Sequence, residues 1–320
     1  MWNKIPFEVR LGLVHNVGEI LEKIKLSCPV LFDEPMSRHT SFRIGGPADA
    51  FVAPRRVEEL SRLFAAVNSA EVPFFVLGGG ANILVSDRGI RGVVIDMSQF
   101  RGCQVRSEER RFLLSALAGT PVDEACNLAL ERELTGLEFL SSMPGSIGGS
   151  VWMNARCYGR CIADILTSVD YLDQRGQRLT LRSDPKMYDY KRSPFQEQRA
   201  LILEATMALH KGRVDEIRAR MREHREDREA KGHFLYPCAG SIFKNDRRFG
   251  NPSGKIIDSL GLKGERVGGA QVSEHHGNII VNRGEATAAE VLELIRRVEA
   301  RVRKAYGFQL EREVRLVGQW

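Results

Sequence analysis

Long apolar runs are missing from this chain. The longest, such as residues 72–77 (VPFFVL), fall far short of the roughly 20 residues that a membrane helix needs, so no membrane span is expected. The N-terminal stretch MWNKIPFEVRLGLVHNVGEI has no apolar core followed by a small-residue cleavage site, and no secretory leader is expected either. Cysteines are few and scattered: Cys28, Cys103, Cys126, Cys157, Cys161 and Cys238. Only Cys157 and Cys161 are close, and no second pair completes a zinc set. All six read as reduced thiols of a cytoplasmic protein. His275 and His276 hint at a metal, but neighbours at i and i+1 share no face and no third ligand lies nearby, so no metal is expected. Aromatic residues make up 8% of the chain and do not interleave with basic ones. A nucleic-acid surface is therefore not expected despite the net charge of +6. Internal repeats and low-complexity segments are also lacking.

What is present is a globular composition. With 320 residues, of which 43% are hydrophobic, the chain can bury a core and fill two or three domains. Apolar spacing predicts helices over 11–26, 57–69 and 121–132, the last with Pro121 in its first turn. Residues 40–53 (TSFRIGGPADAFVA) read as strand, turn, strand. Further strands are predicted at 72–77, 93–96, 112–117 and 200–209, and a hairpin at 165–173 and 177–182 around Arg175-Gly176. Residues 213–231 form a highly charged helix with a narrow stripe of Val214, Ile217 and Met221. Thr287 and Glu290 make a capping box that opens a last helix, with Val291, Leu294, Ile295, Val298 and Val302 facing a core. The tail 310–317 reads as a final strand.

Two glycine loops carry the first chemical signal. Gly78-Gly79-Gly80-Ala81-Asn82 follows an apolar strand, and successive N–H groups in such a loop can converge on phosphate. The spacing is not G-x-G-x-x-G, and Ile83–Ser86 does not read as a helix opening, so a Rossmann site is disfavoured. Pro144-Gly145-Ser146-Ile147-Gly148-Gly149 is the second loop. Together they suit a pyrophosphate-bearing cofactor lying in an extended groove. Tight turns that bind nothing are the simpler alternative.

In order along the chain stand TSFRIGGPAD (40–49), LGGGANILVSD (77–87), GLEFLSSMPGSIGGSVWMNARCYG (136–159) and YKRSPF (190–195). They are followed by AGSIFKN (239–245), SGKIIDSLGLKG (253–264), SEHHGNIIVN (273–282) and LEREVRLVG (310–318). This ordered set resembles the UDP-N-acetylenolpyruvoylglucosamine reductases, the flavoenzyme family called MurB. The resemblance implies an α+β fold: an FAD-binding domain of the vanillyl-alcohol-oxidase (PCMH) type and a separate α+β substrate-binding domain. It implies three regions, at 1–70 with a returning strand at 314–320, at 71–210 and at 211–313. It also implies the compact variant, without an extra substrate-capping loop. Non-covalent FAD, NADPH as hydride source and a UDP-sugar enolpyruvyl ether as small-molecule substrate follow, in peptidoglycan precursor synthesis. A monomer is expected.

The same resemblance assigns site residues. Ser241 matches the family's proton donor and Glu313 its catalytic glutamate. Lys191 takes the place of a family arginine in Tyr-Arg-x-Ser, giving up the bidentate fork, and Arg192 beside it is a second candidate for the substrate. Cofactor contacts fall on Gly78, Gly79, Gly80, Ala81, Asn82, Pro144, Gly145, Ser146, Gly148, Gly149 and Asn154. By their position next to Ser241, Lys244 and Asn245 are candidates for nucleotide or diphosphate contact, with packing and solubility the equally simple alternative. A second departure is Asn154-Ala155-Arg156-Cys157-Tyr158-Gly159, where the family usually has Asn-Ala-Gly-Ala-Tyr-Gly. Chemically, hydride delivery to C3 of an enolpyruvyl ether builds charge at C2 and on its carboxylate. That charge needs a cation or acid beside the carboxylate and a proton donor at C2. The alternatives are another FAD-dependent oxidoreductase of the same fold or a non-catalytic nucleotide-sugar binder. No histidine stands between His39 and His210 to tether a flavin covalently near the first loop.

Overall fold

The computed structural model describes residues 17–108 and 111–320. The predicted first helix is seen over 17–24, and its beginning lies outside the described residues.

A first sheet has the order Val30–Pro35, Pro47–Val52, Ile90–Asp96, Phe74–Leu77. The last two contacts are parallel. Parallel neighbours need a crossover, and the helix Val57–Ser69 supplies it between Pro47–Val52 and Phe74–Leu77. The helix buries Leu60, Leu63, Phe64 and Val67 at i, i+3, i+4 and i+7, the stripe its sequence predicts. The expected boundary at residue 70 falls inside this sheet, between the helix Val57–Ser69 and the strand Phe74–Leu77. Pairing keeps residues 30–96 together, and a new sheet begins at Cys103.

That second sheet is antiparallel, in the order Arg178–Arg182, Leu166–Leu172, Leu201–Lys211, Arg111–Leu117, Cys103–Glu108. The predicted hairpin closes at Gly176, whose φ of 74° suits a residue without Cβ. Helices Val122–Glu131 and Ile147–Trp152 pack with the sheet, and one apolar core joins them to helix Val57–Ser69.

The third unit is a small sheet in the order Cys238–Ser241, Ile279–Asn282, Ala270–Val272, Arg266–Val267, covered by helices Ser253–Ser259 and Ala288–Tyr306. The long helix starts on the predicted capping box of Thr287 and Glu290 and buries Val291, Leu294, Ile295, Val298 and Val302.

Residues 40–46 are a loop, not the expected strand. Phe42 and Ile44 leave the first sheet to plug the core of the third unit. The Thr40 hydroxyl donates to Ile44 O (2.8 Å) and accepts from Ile44 N–H (3.2 Å), which closes the loop. The tail is likewise only partly a ladder strand. Arg315–Val317 pairs parallel with Ile83–Val85. The residues before it run beside the third unit, where Lys244 N–H donates to Glu311 O (2.8 Å) and Glu313 N–H to Ile242 O (2.7 Å). Asp87 adds a further tie: its carboxylate accepts from the N–H groups of Ala288 (2.7 Å) and Ala289 (2.9 Å), orphan donors of the long helix's first turn.

Candidate active site

The two glycine loops touch. A Cβ on Gly79 would stand 2.5 Å from the Gly145 Cα, and one on Gly78 would stand 2.6 Å from the Ser146 hydroxyl. Gly80 has φ of 64°, Asn82 59° and Gly145 127°, so the chain turns sharply at each. Among the described residues, the backbone N–H groups of Gly79, Gly80, Ala81 and Asn82 have no protein acceptor. Ser146 caps the helix Ile147–Trp152 by accepting from Gly149 N–H (3.3 Å). Gly148 is needed for packing, since a Cβ there would meet the Ala118 Cβ at 2.7 Å. Side chains are thus excluded where the loops meet, while free N–H donors remain. That is the donor set a diphosphate requires.

The glycine-rich helix also positions the cation. Trp152 O, at its end, accepts from the Ser193 hydroxyl (2.8 Å) and from Gln196 Nε2 (2.8 Å). Gln196 Nε2 also donates to Lys191 O (2.9 Å). Asn154 is buried, and its side chain donates to Asp189 O (2.9 Å) and accepts from Ala163 N–H (3.3 Å). Asn154, expected at the cofactor, also fixes the turn that presents Lys191. Asp189 and Arg192 close this turn by exchanging backbone hydrogen bonds, with Lys191 at φ of 60°.

Held this way, Lys191 Nζ lies 2.6 Å from Glu313 Oε1, with the side chains only 13% and 11% exposed. Arg192, on the same turn, is exposed and makes no ion pair among the described residues. The structure therefore brings Lys191, not Arg192, to the glutamate. Asn82 Nδ2 donates to Glu313 O (3.2 Å), and Asn82 O accepts from Arg315 N–H (3.0 Å). The first glycine loop is in this way tied to the backbone on both sides of Glu313's neighbour Val314.

Ser241 arrives from the third unit. It ends the strand Cys238–Ser241, after Gly240 at φ of 75°, and a register irregularity lies between Cys238 and Ser241. The next residue, Ile242, accepts the Glu313 N–H, so Ser241 and Glu313 sit on adjoining backbones. The Ser241 side chain is half-buried and has no hydrogen-bond partner among the described residues. Lys244 Nζ pairs with Glu311 at 2.5 Å. Asn245 is committed on both sides: its N–H donates to the Tyr190 hydroxyl (3.2 Å), and its side-chain oxygen accepts from Ser253 N–H (2.9 Å). Sequence reasoning missed Tyr190 as the link between the Lys191 turn and the third unit. It also missed the Arg315 guanidinium, stacked 4.6 Å over the Trp152 ring. Only the periodicity of the tail, which sets Arg315 on the face of Glu313, carried a trace of that stack.

His275 and His276 gather no ligand set, and no group of three metal-ligating side chains occurs among the described residues. His276 Nδ1 accepts from Asn278 N–H at 3.1 Å, a local turn. No helix among the described residues is long and apolar enough to cross a membrane.

Comparisons with known proteins identify the family. Residues 48–182 match the family model of an FAD binding domain, and residues 232–317 match the C-terminal domain of UDP-N-acetylenolpyruvoylglucosamine reductase. The chain is 41% identical to the UDP-N-acetylenolpyruvoylglucosamine reductase of Caldanaerobacter subterraneus subsp. tengcongensis, over 96% of this chain and 98% of that one. It is 40% identical to the protein of the same name from Treponema denticola, over 96% of this chain and 100% of that one. A crystal structure of the reductase from Thermus caldophilus superposes with a TM-score of 0.75 at 31% identity, covering 91% of this chain and 99% of that one.

Proposed function

The chain belongs to the UDP-N-acetylenolpyruvoylglucosamine reductase family, and from that premise we propose that it reduces the enolpyruvyl group of UDP-N-acetylglucosamine enolpyruvate to UDP-N-acetylmuramate with NADPH. When bound, FAD supplies the hydride chemistry between NADPH and C3 of the substrate. The two glycine loops hold its pyrophosphate through N–H groups that have no acceptor among the described residues.

The protein's own residues then handle charge and the proton. Lys191 faces the substrate carboxylate as its partner for developing negative charge. Glu313, ion-paired with Lys191, fixes the ammonium so that little reorganisation is needed during the reaction. Ser241 gives its hydroxyl proton to C2 and is re-protonated from solvent. Lys244, Arg192 and Asn245 line the side from which the UDP moiety enters. The reading rests on one observation: a nearly buried Lys191–Glu313 pair at 2.6 Å, built from two units of the fold and tied by Asn82 to the first glycine loop.

The test is anaerobic. Purified protein is expected to be yellow and to release FAD on denaturation. NADPH should bleach it, and UDP-N-acetylglucosamine enolpyruvate should restore the colour while forming UDP-N-acetylmuramate. Colour restored by oxygen alone, with no effect of the enolpyruvyl substrate, would overturn the proposal.

A further inference from the structure

We propose that Cys157 is a modification site, a thiol set to react with hydroperoxides because the buried guanidinium of Arg228 is held against its sulfur. Arg228 is 7% exposed. Among the described residues it forms no salt bridge, and its Nε has no hydrogen-bond partner. Its Nη2 donates to the Cys157 sulfur at 3.0 Å. The adjacent carboxylate, Asp227, is engaged elsewhere, accepting from Lys231 Nζ (2.7 Å) and the Tyr158 hydroxyl (2.9 Å). Arg228 is thus a buried cation outside any salt bridge among the described residues, with the Cys157 sulfur as the acceptor for its Nη2. The thiolate is the nucleophile of cysteine, and a neighbouring cation favours it.

The other five thiols lack this arrangement. Burial pushes up Cys28, Cys103, Cys126, Cys161 and Cys238. Cys161 also points its sulfur at the Asp164 carboxylate (3.1 Å), which holds the proton on. Cys157 is half-buried, within reach of a small oxidant. No intramolecular disulfide competes within its hairpin. Cys157 stands opposite Arg160 and Cys161 opposite Arg156, so the two sulfurs leave opposite faces.

The step balances with a hydroperoxide as oxidant. Sulfur attacks one peroxide oxygen, the S–O bond forms and the O–O bond breaks. The departing oxygen carries off the O–O electron pair, takes the proton that the thiol has released to solvent, and leaves as water or alcohol. Sulfur is oxidised by two electrons to the sulfenic acid and the peroxide is reduced.

The experiment treats the full chain with hydrogen peroxide in the presence of dimedone, which traps sulfenic acids, and follows each cysteine peptide by mass spectrometry. Cys157 is expected to be trapped about tenfold faster than any other cysteine. Arg228→Met should slow it by about tenfold, and Cys157→Ala, the residue usual in the family, should abolish the fast adduct. Trapping of Cys157 no faster than Cys28 or Cys238 in the unmodified protein would overturn the proposal, whether or not the Arg228 variant folds. An unchanged rate in a folded Arg228→Met protein would also do so.

Discussion

Lys191 Nζ and Glu313 Oε1 meet at 2.6 Å across two units of the fold, both side chains nearly buried. Removing one partner leaves the other charge in a poorly hydrated place. Lys191→Met or Glu313→Gln should each cost about 2 kcal/mol, a figure reduced for their residual exposure. The double variant should recover most of that stability but none of the activity. Urea unfolding with a turnover assay reads both. Two single losses that simply add in the double variant would mean that the pair is not coupled.

Ser241 is assigned to the second half-reaction alone. Ser241→Ala should let NADPH bleach the flavin at near-normal rate. Reoxidation by the enolpyruvyl substrate should then slow by about 10²–10⁴-fold, the usual cost of losing a positioned acid. Rapid-mixing absorbance separates the steps. Slow bleaching with normal reoxidation would remove Ser241 from the proposed role.

The glycine loops should respond differently to added bulk. A Cβ at Gly79 meets the backbone of Gly145, where the loops join, so Gly79→Val should lose yellow colour while far-UV circular dichroism stays native. A Cβ at Gly148 presses on Ala118, buried in the turn that follows the strand Arg111–Leu117, so Gly148→Val should lower the melting temperature as well. Full flavin retention in a folded Gly79→Val protein would contradict the placement of the diphosphate.

Stability should fall in mild acid through His233. Burial, with Arg228 and His276 adding repulsion, pushes His233 from the usual 6.5 down to about 4. Below pH 6.5 the unfolded chain binds a proton that the folded chain refuses until about pH 4. Stability contributed by neutral His233 is therefore full above pH 6.5 and declines as pH falls through that window. Between pH 7.5 and 5 the loss should be about 1–2 kcal/mol, discounted for partial exposure. His233→Asn should flatten the slope by that amount in urea titrations at the two pH values. An unchanged slope would show that His233 is not the group responsible.

By itself the sequence determined the elements and the chemistry in local reach. The helix Ala288–Tyr306, with its capping box and five buried apolar residues, was legible because period and cap are local properties. So were the two glycine loops, whose composition states what the backbone must do. The ordered motifs named Ser241, Glu313 and Lys191 without placing them.

Tertiary structure decided what they do to one another. Nothing local shows that Phe42 and Ile44 leave their sheet for another core, or that Pro47–Val52 pairs with Ile90–Asp96 across residue 70. Lys191, rather than Arg192, meets Glu313 because Asn154 and Gln196 hold the turn from below. Adjacent residues on a turn diverge in direction, and which one faces the site depends on contacts from elsewhere in the chain. Arg228 shows the same limit. Its helix was predicted from a stripe of Val214, Ile217 and Met221, and that inward face runs on to a charged residue that is buried. Periodicity reads which face turns inward from the apolar residues on it. It cannot show a buried cation whose hydrogen-bond acceptor is a sulfur on a distant hairpin.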